Sequence, residues 1–125
     1  AQPDGARQDD AVTLIGIPGS AGRAIGRARV MVDPYAHFEE GDILVAEITD
    51  TAWTPLFAIA GAVVTDVGGI LSHATIVARD LGIPAVVNTK TGTWAINDGD
   101  TVEVDGTSGT VNVLARNGPA PTPCG

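Results

Sequence analysis

The stretch that decides the fold is TDVGGILSHATIVARDLGIPAVV, which runs from Thr65 to Val87. The three residues before it, Ala-Val-Val at 62–64, are small or β-branched and predict a buried strand. Gly68 and Gly69 end that strand, because paired glycines allow backbone conformations that a side chain forbids. The stretch therefore begins as a buried strand followed by a glycine turn.

A helix is predicted directly after the glycine turn. Ser72 is a favoured N-cap residue, and the helix is expected over residues 74–81. Gly82 and Pro84 end it, because glycine is favoured just past a helix and proline cannot continue one. A second buried strand then begins at residue 85. The helix positions expected to be buried are Ile76, Val77 and Leu81.

This arrangement places one imidazole, that of His73, at the N-terminus of the helix. A helix N-terminus offers unpaired N–H groups and a partial positive charge, so it holds phosphate well. A neutral imidazole is a competent nucleophile. Ser72 is expected to cap the helix or to hydrogen-bond the ring or a phosphoryl group, and Thr65 to add a hydroxyl from the strand end. A lone histidine in such a turn is usually structural, so its neighbours decide the interpretation.

Those neighbours resemble a known signature. The runs GGILSHATIVAR at 68–79 and LGIPAVV at 81–87 resemble the phosphohistidine signature of the phosphoenolpyruvate-utilising enzymes. The match is long and ungapped, and is therefore far more specific than a lone glycine motif. The segment ITDTAWTPLF at 48–57 is similar to the rifampicin phosphotransferase type of this family. The resemblance implies that His73 becomes phosphorylated and that the chain is the swivelling domain that carries the phosphoryl group between two remote active sites.

The implied fold is α/β: a swivelling β/β/α phosphohistidine domain, compact, with a small mixed sheet. The parallel part of the sheet is expected from the strand–helix–strand unit around His73. We predict a flexible tail or linker at residues 1–10, the phosphohistidine domain at 11–116 and a Pro/Gly-rich tail at 117–125. In segment 48–57, Trp53 is expected in the core, with a docking face as the alternative.

The remainder of the domain predicts further strands. The small residues at 18–22 are expected to form a loop, which lacks the Gly-Lys-Ser/Thr ending of a phosphate loop. Arg23, Arg27 and Arg29 are expected to face solvent. The predicted strands are residues 12–17, 24–32, 42–48 and the hairpin of 101–105 with 110–114.

Composition excludes several classes of function. The 125 residues suffice for one modest core, and the net charge of −8 argues against a nucleic-acid or membrane-surface partner. No apolar run is long enough to span a bilayer and no signal peptide is visible, so a cytoplasmic location is expected. The single cysteine, Cys124, excludes an internal disulfide and a multi-cysteine zinc site, and His37 has no second ligand at metal spacing.

The resemblance also implies a mechanism. ATP or phosphoenolpyruvate donates a phosphoryl group to His73, and an acceptor such as pyruvate or a small hydroxyl compound takes it. The chain shows no nucleotide loop and no acidic metal cluster, so no cofactor is expected to bind it alone. Mg²⁺ and ATP are expected on an ATP-grasp-type partner domain or subunit, and the acceptor on another. The chain would then be only part of a phosphotransferase.

Supporting roles follow from the same resemblance. Arg79 is expected to form an ion pair or to contact a partner domain rather than the phosphate. The alternative function is a non-catalytic docking module that retains the fold. The residues expected to support the phosphohistidine are Thr65, Gly68, Gly69 and Ser72.

Overall fold

The computed structural model describes residues 13–116, so the tails predicted at 1–10 and 117–125 lie outside the described residues. Within that range, α1 is Thr54–Phe57, preceded by a 3₁₀ turn at Thr51–Trp53; α2 is His73–Leu81 and α3 is Gly92–Ala95. The strands are β1 (Thr13–Ile15), β2 (Ile17–Ser20), β3 (Arg23–Met31), β4 (Ile43–Ala46), β5 (Ala62–Thr65), β6 (Ala85–Val87), β7 (Thr101–Asp105) and β8 (Thr110–Ala115).

The strands pair in the order β1-β8-β7-β3-β4-β5-β6-β2. β3 through β6 pair in parallel and the remaining pairs are antiparallel, which confirms a mixed sheet. β3 belongs to two layers, because its first half pairs with β7 and its second half with β4. β1 and β2 flank Gly16 yet lie at opposite ends of the order. A Cβ on Gly16 would lie 2.5 Å from the Val87 carbonyl oxygen, so this bend requires glycine.

Two apolar clusters separate three layers, and the β/β/α architecture is confirmed. One cluster fills the space between the antiparallel and the parallel parts of the sheet; it includes Leu14, Ile43, Val45, Val64, Val86, Val102, Val104 and Val111. The other lies between the parallel strands and the helices; it includes Met31, Leu44, Trp53, Phe57, Val63, Ala74, Ala78 and Val87.

The strand–helix–strand unit has the predicted form, because β5 and β6 are parallel neighbours joined through α2. α2 ends at Gly82, whose φ of 75° is left-handed. The expected burial of Ile76 and Leu81 is wrong, since both are about half exposed. α2 instead buries its small side chains, which lets the helix backbone approach the sheet closely; the buried residues are Ala74, Thr75 and Ala78.

Two other expectations required correction. Pro18 and its neighbours form strand β2 rather than a loop; proline is tolerated there because β2 ends the strand order and pairs only with β6. Arg29 does not face solvent as Arg23 and Arg27 do, because its Nε lies 3.1 Å from the carboxylate of the buried Asp42. That carboxylate raises the pKa of Arg29 through a hydrogen bond.

Other predictions are confirmed. β7 and β8 form the expected hairpin, and Trp53 is buried at 5% exposure, as the core interpretation required. Among residues 13–116, no helix has the length and apolar character needed to cross a bilayer.

Candidate functional site

His73 is the first residue of α2, directly after the turn that leaves the carboxyl end of β5. Ser72 is the N-cap, with extended backbone angles, but its side chain makes no capping hydrogen bond. The first N–H groups of a helix have no intrahelical partners, so those of α2 keep their capacity to bind an anion. A half-buried imidazole therefore lies beside free backbone donors.

Three neighbours hold the imidazole in one orientation. Nδ1 of His73 lies 2.9 Å from Oγ1 of Thr49, and Nε2 lies 3.3 Å from Oγ1 of Thr54. The Phe57 ring meets the imidazole edge-on, with ring centroids 5.5 Å apart and an interplanar angle of 84°. Thr49 is 6% exposed, whereas Thr54 is exposed. One ring nitrogen thus faces the protein interior and the other faces the surface.

The two glycines of the turn have different structural roles. Gly68 has φ 140°, a conformation that favours glycine, and a Cβ there would lie 3.0 Å from the Ser72 hydroxyl oxygen. Gly69 is not among the described residues with positive φ, and a Cβ on it would meet nothing within 4 Å. The backbone therefore requires glycine only at 68, while the Cβ side of Gly69 faces open space.

Ser72 is the N-cap residue as predicted, but its hydroxyl fastens the glycine turn rather than capping the helix or bonding the ring. Its hydroxyl donates to the Gly69 carbonyl over 2.8 Å. The Thr75 hydroxyl donates to the same carbonyl over 2.7 Å, and so does the Ser72 backbone N–H over 3.1 Å. Three donors on one carbonyl fix the turn that leads into His73.

Thr65 lies beneath the same turn. It is fully buried, and its hydroxyl has no hydrogen-bond partner among the described residues. Its Oγ1 would lie 3.6 Å from a Cβ on Gly68, so it faces the underside of the turn and not the surface. The Thr65 carbonyl accepts from the backbone N–H of Thr89 over 3.1 Å and from its hydroxyl over 3.0 Å, which joins β5 to the segment after β6.

Arg79 and His37 lie away from these contacts. Nε of Arg79 donates to the Gly19 carbonyl over 2.7 Å and thereby joins α2 to β2. Nε2 of His37 lies 2.9 Å from a Glu39 carboxylate oxygen, and this hydrogen bond holds the pKa of Glu39 below its ordinary value. In the described part of the chain, no group of three or more His, Cys, Asp or Glu side chains could hold a metal ion.

Sequence reasoning missed Thr49 and Thr54 as partners of the ring. They lie 24 and 19 residues before His73, on a segment that folds over the start of α2. Asp50 organises that segment, because its carboxylate accepts from the Ala52 N–H over 3.0 Å and caps the 3₁₀ turn. The signal available in the sequence was the density of hydroxyls between 49 and 54.

The chain is similar to several known proteins. The chain is 52% identical over 101 residues to the prodigiosin synthesizing transferase PigC of Serratia marcescens, covering 78% of this chain and 11% of that protein. It is 45% identical over 114 residues to a rifampicin phosphotransferase of Streptomyces sviceus, covering 90% and 12%. A solution structure of Enzyme I matches with a TM-score of 0.53 and 38% identity, covering 59% of this chain and 31% of that one.

The chain spans only about a tenth of the length of these curated relatives. The family model that matches it is described as the mobile domain of the PEP-utilising enzymes, and the match covers residues 38–109. That range includes the segment of ring partners, the glycine turn, His73 and the hairpin strand β7. The chain belongs to the family of PEP-utilising enzyme mobile domains.

Proposed function

We propose that this chain is a phosphoryl carrier in which Nε2 of His73 is transiently phosphorylated. The observation that carries the proposal is the asymmetry of the ring environment. Nδ1 is held by the buried Thr49, whereas the hydrogen-bond partner of Nε2 among residues 13–116 is the exposed Thr54. A donor bound on another domain reaches the outer nitrogen, and the fixed ring presents it in one direction.

The proposed reaction requires a lone pair on Nε2. Placing the ring proton on Nδ1 provides it, and Nδ1–H then donates to Oγ1 of Thr49. In the resting state the Thr54 hydroxyl donates to Nε2. It must turn away as the phosphoryl group arrives, where it can donate to a phosphoryl oxygen instead. Thr49 is a positioning residue, since it acts through the ring rather than on the phosphorus.

In the first step, the Nε2 lone pair forms a bond to phosphorus while the bond from phosphorus to the donor's leaving oxygen breaks, and its electron pair leaves with the donor product. The new group brings negative charge toward the N-terminus of α2, where free N–H groups and the helix dipole stabilise it. In the second step, an acceptor oxygen bonds to phosphorus and the P–Nε2 bond breaks. The electron pair returns to the ring, and the acceptor proton passes to a base on the acceptor's domain.

The donor and acceptor sites are proposed to lie outside this chain. Its relatives are about seven times as long, and one is named for phosphotransfer to rifampicin. We place ATP or phosphoenolpyruvate, together with Mg²⁺, on an ATP-grasp-type or equivalent partner domain or subunit, and pyruvate or a small hydroxyl compound on another. Phosphoryl transfer depends on positioning and charge neutralisation, which such partners supply around His73.

The alternative is a docking module that retains the fold without chemistry. A docking surface does not require an imidazole held by two hydroxyls and an aromatic edge. The two functions differ in one observable, which is covalent phosphate on the chain.

The test uses the full-length protein, or this chain supplied with its donor domain, and labelled ATP or phosphoenolpyruvate. Products are analysed by mass spectrometry under alkaline conditions, because phosphohistidine is labile in acid. We expect label on wild type and on His37→Ala, an exposed histidine that serves as the matched control, and none on His73→Ala. Label retained on His73→Ala, or absent from the wild type with both donors, would overturn the carrier proposal.

A further inference from the structure

An apolar groove lies beside the His73 site, at the carboxyl ends of β3 and β4. Its volume is about 420 Å³, within the ~300–1,000 Å³ typical of ligand pockets. Trp94 is 85% exposed and Val32 is 94% exposed, so two large apolar groups of the lining remain in solvent. We name it the tryptophan groove; its apolar lining is Val30, Met31, Val32, Ile48, Trp53 and Trp94.

The indole of Trp94 is carried by an anchored element. Thr93 donates to the buried Asp66 carboxylate from its backbone N–H over 2.9 Å and from its hydroxyl over 2.5 Å. The backbone N–H of Trp94 donates to the Thr91 carbonyl over 2.9 Å. Because Asp66 directly follows β5, these bonds fix α3 to the edge of the parallel strands. A site that is fixed before binding loses little conformational entropy when it is filled.

Glu47 supplies the charge of the groove. It is the charged residue of the lining and is exposed, and within residues 13–116 its carboxylate has no hydrogen bond or ion pair. Thr93 is the other polar lining residue, but its hydroxyl is already bonded to Asp66. The net charge of the chain, −8, adds to the negative potential around the groove. The groove therefore offers an aromatic face, an aliphatic wall and one free carboxylate, which together favour a cationic occupant.

An arginine side chain matches all three features. Its aliphatic stem packs on apolar surface, its planar guanidinium stacks on the face of a tryptophan, and its N–H donors pair with a carboxylate. The arginines among residues 13–116 are already engaged, four with carboxylates and the fifth with a carbonyl. These are Arg23, Arg27, Arg29, Arg116 and Arg79.

We propose that the tryptophan groove docks an arginine side chain of a partner domain or subunit, with the guanidinium stacked on Trp94 and paired with Glu47. The chain spans only about a tenth of the length of its curated relatives, so a longer polypeptide has ample surface to supply that arginine. Tryptophan and arginine are also the residues that contribute most often to the binding energy of protein interfaces.

The tryptophan groove shares a wall with the His73 site. Ile48 lines the groove and precedes Thr49, the partner of Nδ1; Trp53 lines it and precedes Thr54, the partner of Nε2. A docked partner therefore rests on the same backbone that positions both ring partners. This inference does not depend on the phosphorylation of His73, because it rests on the groove and its charge alone.

The test follows the indole N–H signals of the two tryptophans by ¹H–¹⁵N NMR. N-acetyl-arginine methylamide is added to the full chain, and the matching citrulline derivative, which keeps the shape but lacks the charge, is added to a second sample. We expect the Trp94 signal to move saturably, with a Kd about fivefold lower for the arginine derivative, because an exposed cation–π contact and an exposed ion pair each contribute modestly. Trp94→Phe assigns the two signals.

A matched pair of variants locates the charge. Glu47→Gln should reduce the preference for arginine over citrulline to about twofold, since only the stacking of the cation remains. Glu40→Gln should keep the fivefold preference, because Glu40 is an exposed glutamate that lies before the amino end of β4, at the opposite edge from Glu47. Both variants change exposed positions, and circular dichroism melts confirm that the fold is kept.

Several results would overturn the proposal. They are a Trp94 signal that does not move, equal affinity of the wild type for both derivatives, and an undiminished preference in Glu47→Gln. Tighter binding of free L-arginine than of the capped derivative would assign the groove to a free amino acid instead of a partner. A Trp94 signal that changes when the free chain is diluted would mean that a second copy fills the groove. None of these measurements requires His73 to be labelled, so a failure of the carrier proposal is recognised separately.

Discussion

At the scale of single residues, the site is one imidazole and the hydroxyls around it. Thr49 and Thr54 each bring an Oγ1 to a different nitrogen of His73, and Phe57 supports the ring from its edge. Because Thr49 is buried and Thr54 is exposed, the two hydroxyls are not equivalent. The inner one is proposed to select the tautomer, and the outer one lies where the phosphoryl group is proposed to form.

Thr49→Val tests the inner hydroxyl. Valine keeps the shape but cannot accept from Nδ1–H, so the ring proton shifts toward Nε2 and the reactive lone pair is lost. A hydrogen bond is worth about 0.5–1.5 kcal/mol, and about 1.4 kcal/mol changes a rate tenfold, so labelling of His73 should slow by about 2- to 10-fold. Thr49→Ser should retain the rate. An unchanged rate in the valine variant, with unchanged ¹⁵N shifts of the ring, would exclude the positioning role.

Gly68→Ala and Gly69→Ala form a matched pair. Gly68→Ala should lower the free energy of unfolding by about 1–3 kcal/mol, because alanine resists φ 140° and its Cβ would crowd Ser72. Gly69→Ala should change it by no more than about 0.5 kcal/mol, since its Cβ would enter open space. If the donor domain approaches through that space, Gly69→Ala should nevertheless slow labelling. Chemical denaturation measures the free energy of unfolding of each variant, and the rate of His73 labelling measures the effect on transfer. A normal labelling rate in Gly69→Ala would show that the donor domain does not approach through the space beside Gly69.

His73 was predictable from sequence and its ring partners were not, for a physical reason. The signature around His73 is contiguous, so the glycine turn, the N-cap residue and the histidine at the helix start are read from one run of residues. Thr49 and Thr54 reach the ring through tertiary folding over 24 and 19 residues, which no local pattern encodes. Ser72 was correctly identified as the N-cap residue, but its hydroxyl bonds Gly69, a choice that depends on the shape of the turn.

At the scale of elements, boundaries were more predictable than buried faces. α2 begins after Ser72 and ends at Gly82, as the local start and stop signals indicate. The predicted buried face of α2 was wrong. Ile76 and Leu81 are hydrophobic and so suggested burial, but α2 packs closely on the sheet through alanine and threonine side chains instead. The large apolar side chains of Ile76 and Leu81 therefore remain about half exposed.

The Asp105 carboxylate in the hairpin of β7 and β8 predicts that the stability of the fold depends on pH. Asp105 accepts hydrogen bonds from the backbone N–H groups of Ser108 and Thr107, over 3.1 and 3.0 Å, and these lower its pKa below 3.8. The folded state therefore binds this proton more weakly than the unfolded state. The stabilisation is fully present above about pH 4 and is lost as pH falls through the folded pKa.

Asp105→Asn should accordingly be less stable than wild type at pH 7, and the difference should shrink as the pH is lowered from 4 to 2. Urea unfolding at several pH values measures it. Asp80→Asn, which removes an exposed carboxylate of α2, is the control for the loss of one negative charge. If the difference in free energy of unfolding between wild type and Asp105→Asn stays constant with pH, the stability of the turn does not depend on the charge of Asp105.

At the scale of the whole molecule, the two β layers and the helices place the candidate site at one edge of the parallel strands. The bend at Gly16 and the shared strand β3 join the two β layers, and neither junction was visible in local sequence patterns. The parallel strands direct the start of α2 and the segment after β4 to the same edge, where His73 meets its partners. The rest of the machinery is proposed to lie in the other nine-tenths of a longer polypeptide or in a partner subunit.

The central claim, that Nε2 of His73 carries the phosphoryl group, is tested most directly by NMR. The chain is labelled with ¹⁵N-histidine, phosphorylated by its donor domain and kept at alkaline pH. We predict a ³¹P–¹⁵N coupling at Nε2 of His73 and none at Nδ1, while the signals of His37 remain unchanged. Coupling at Nδ1, coupling at His37, or phosphate found only on a threonine hydroxyl would contradict the account.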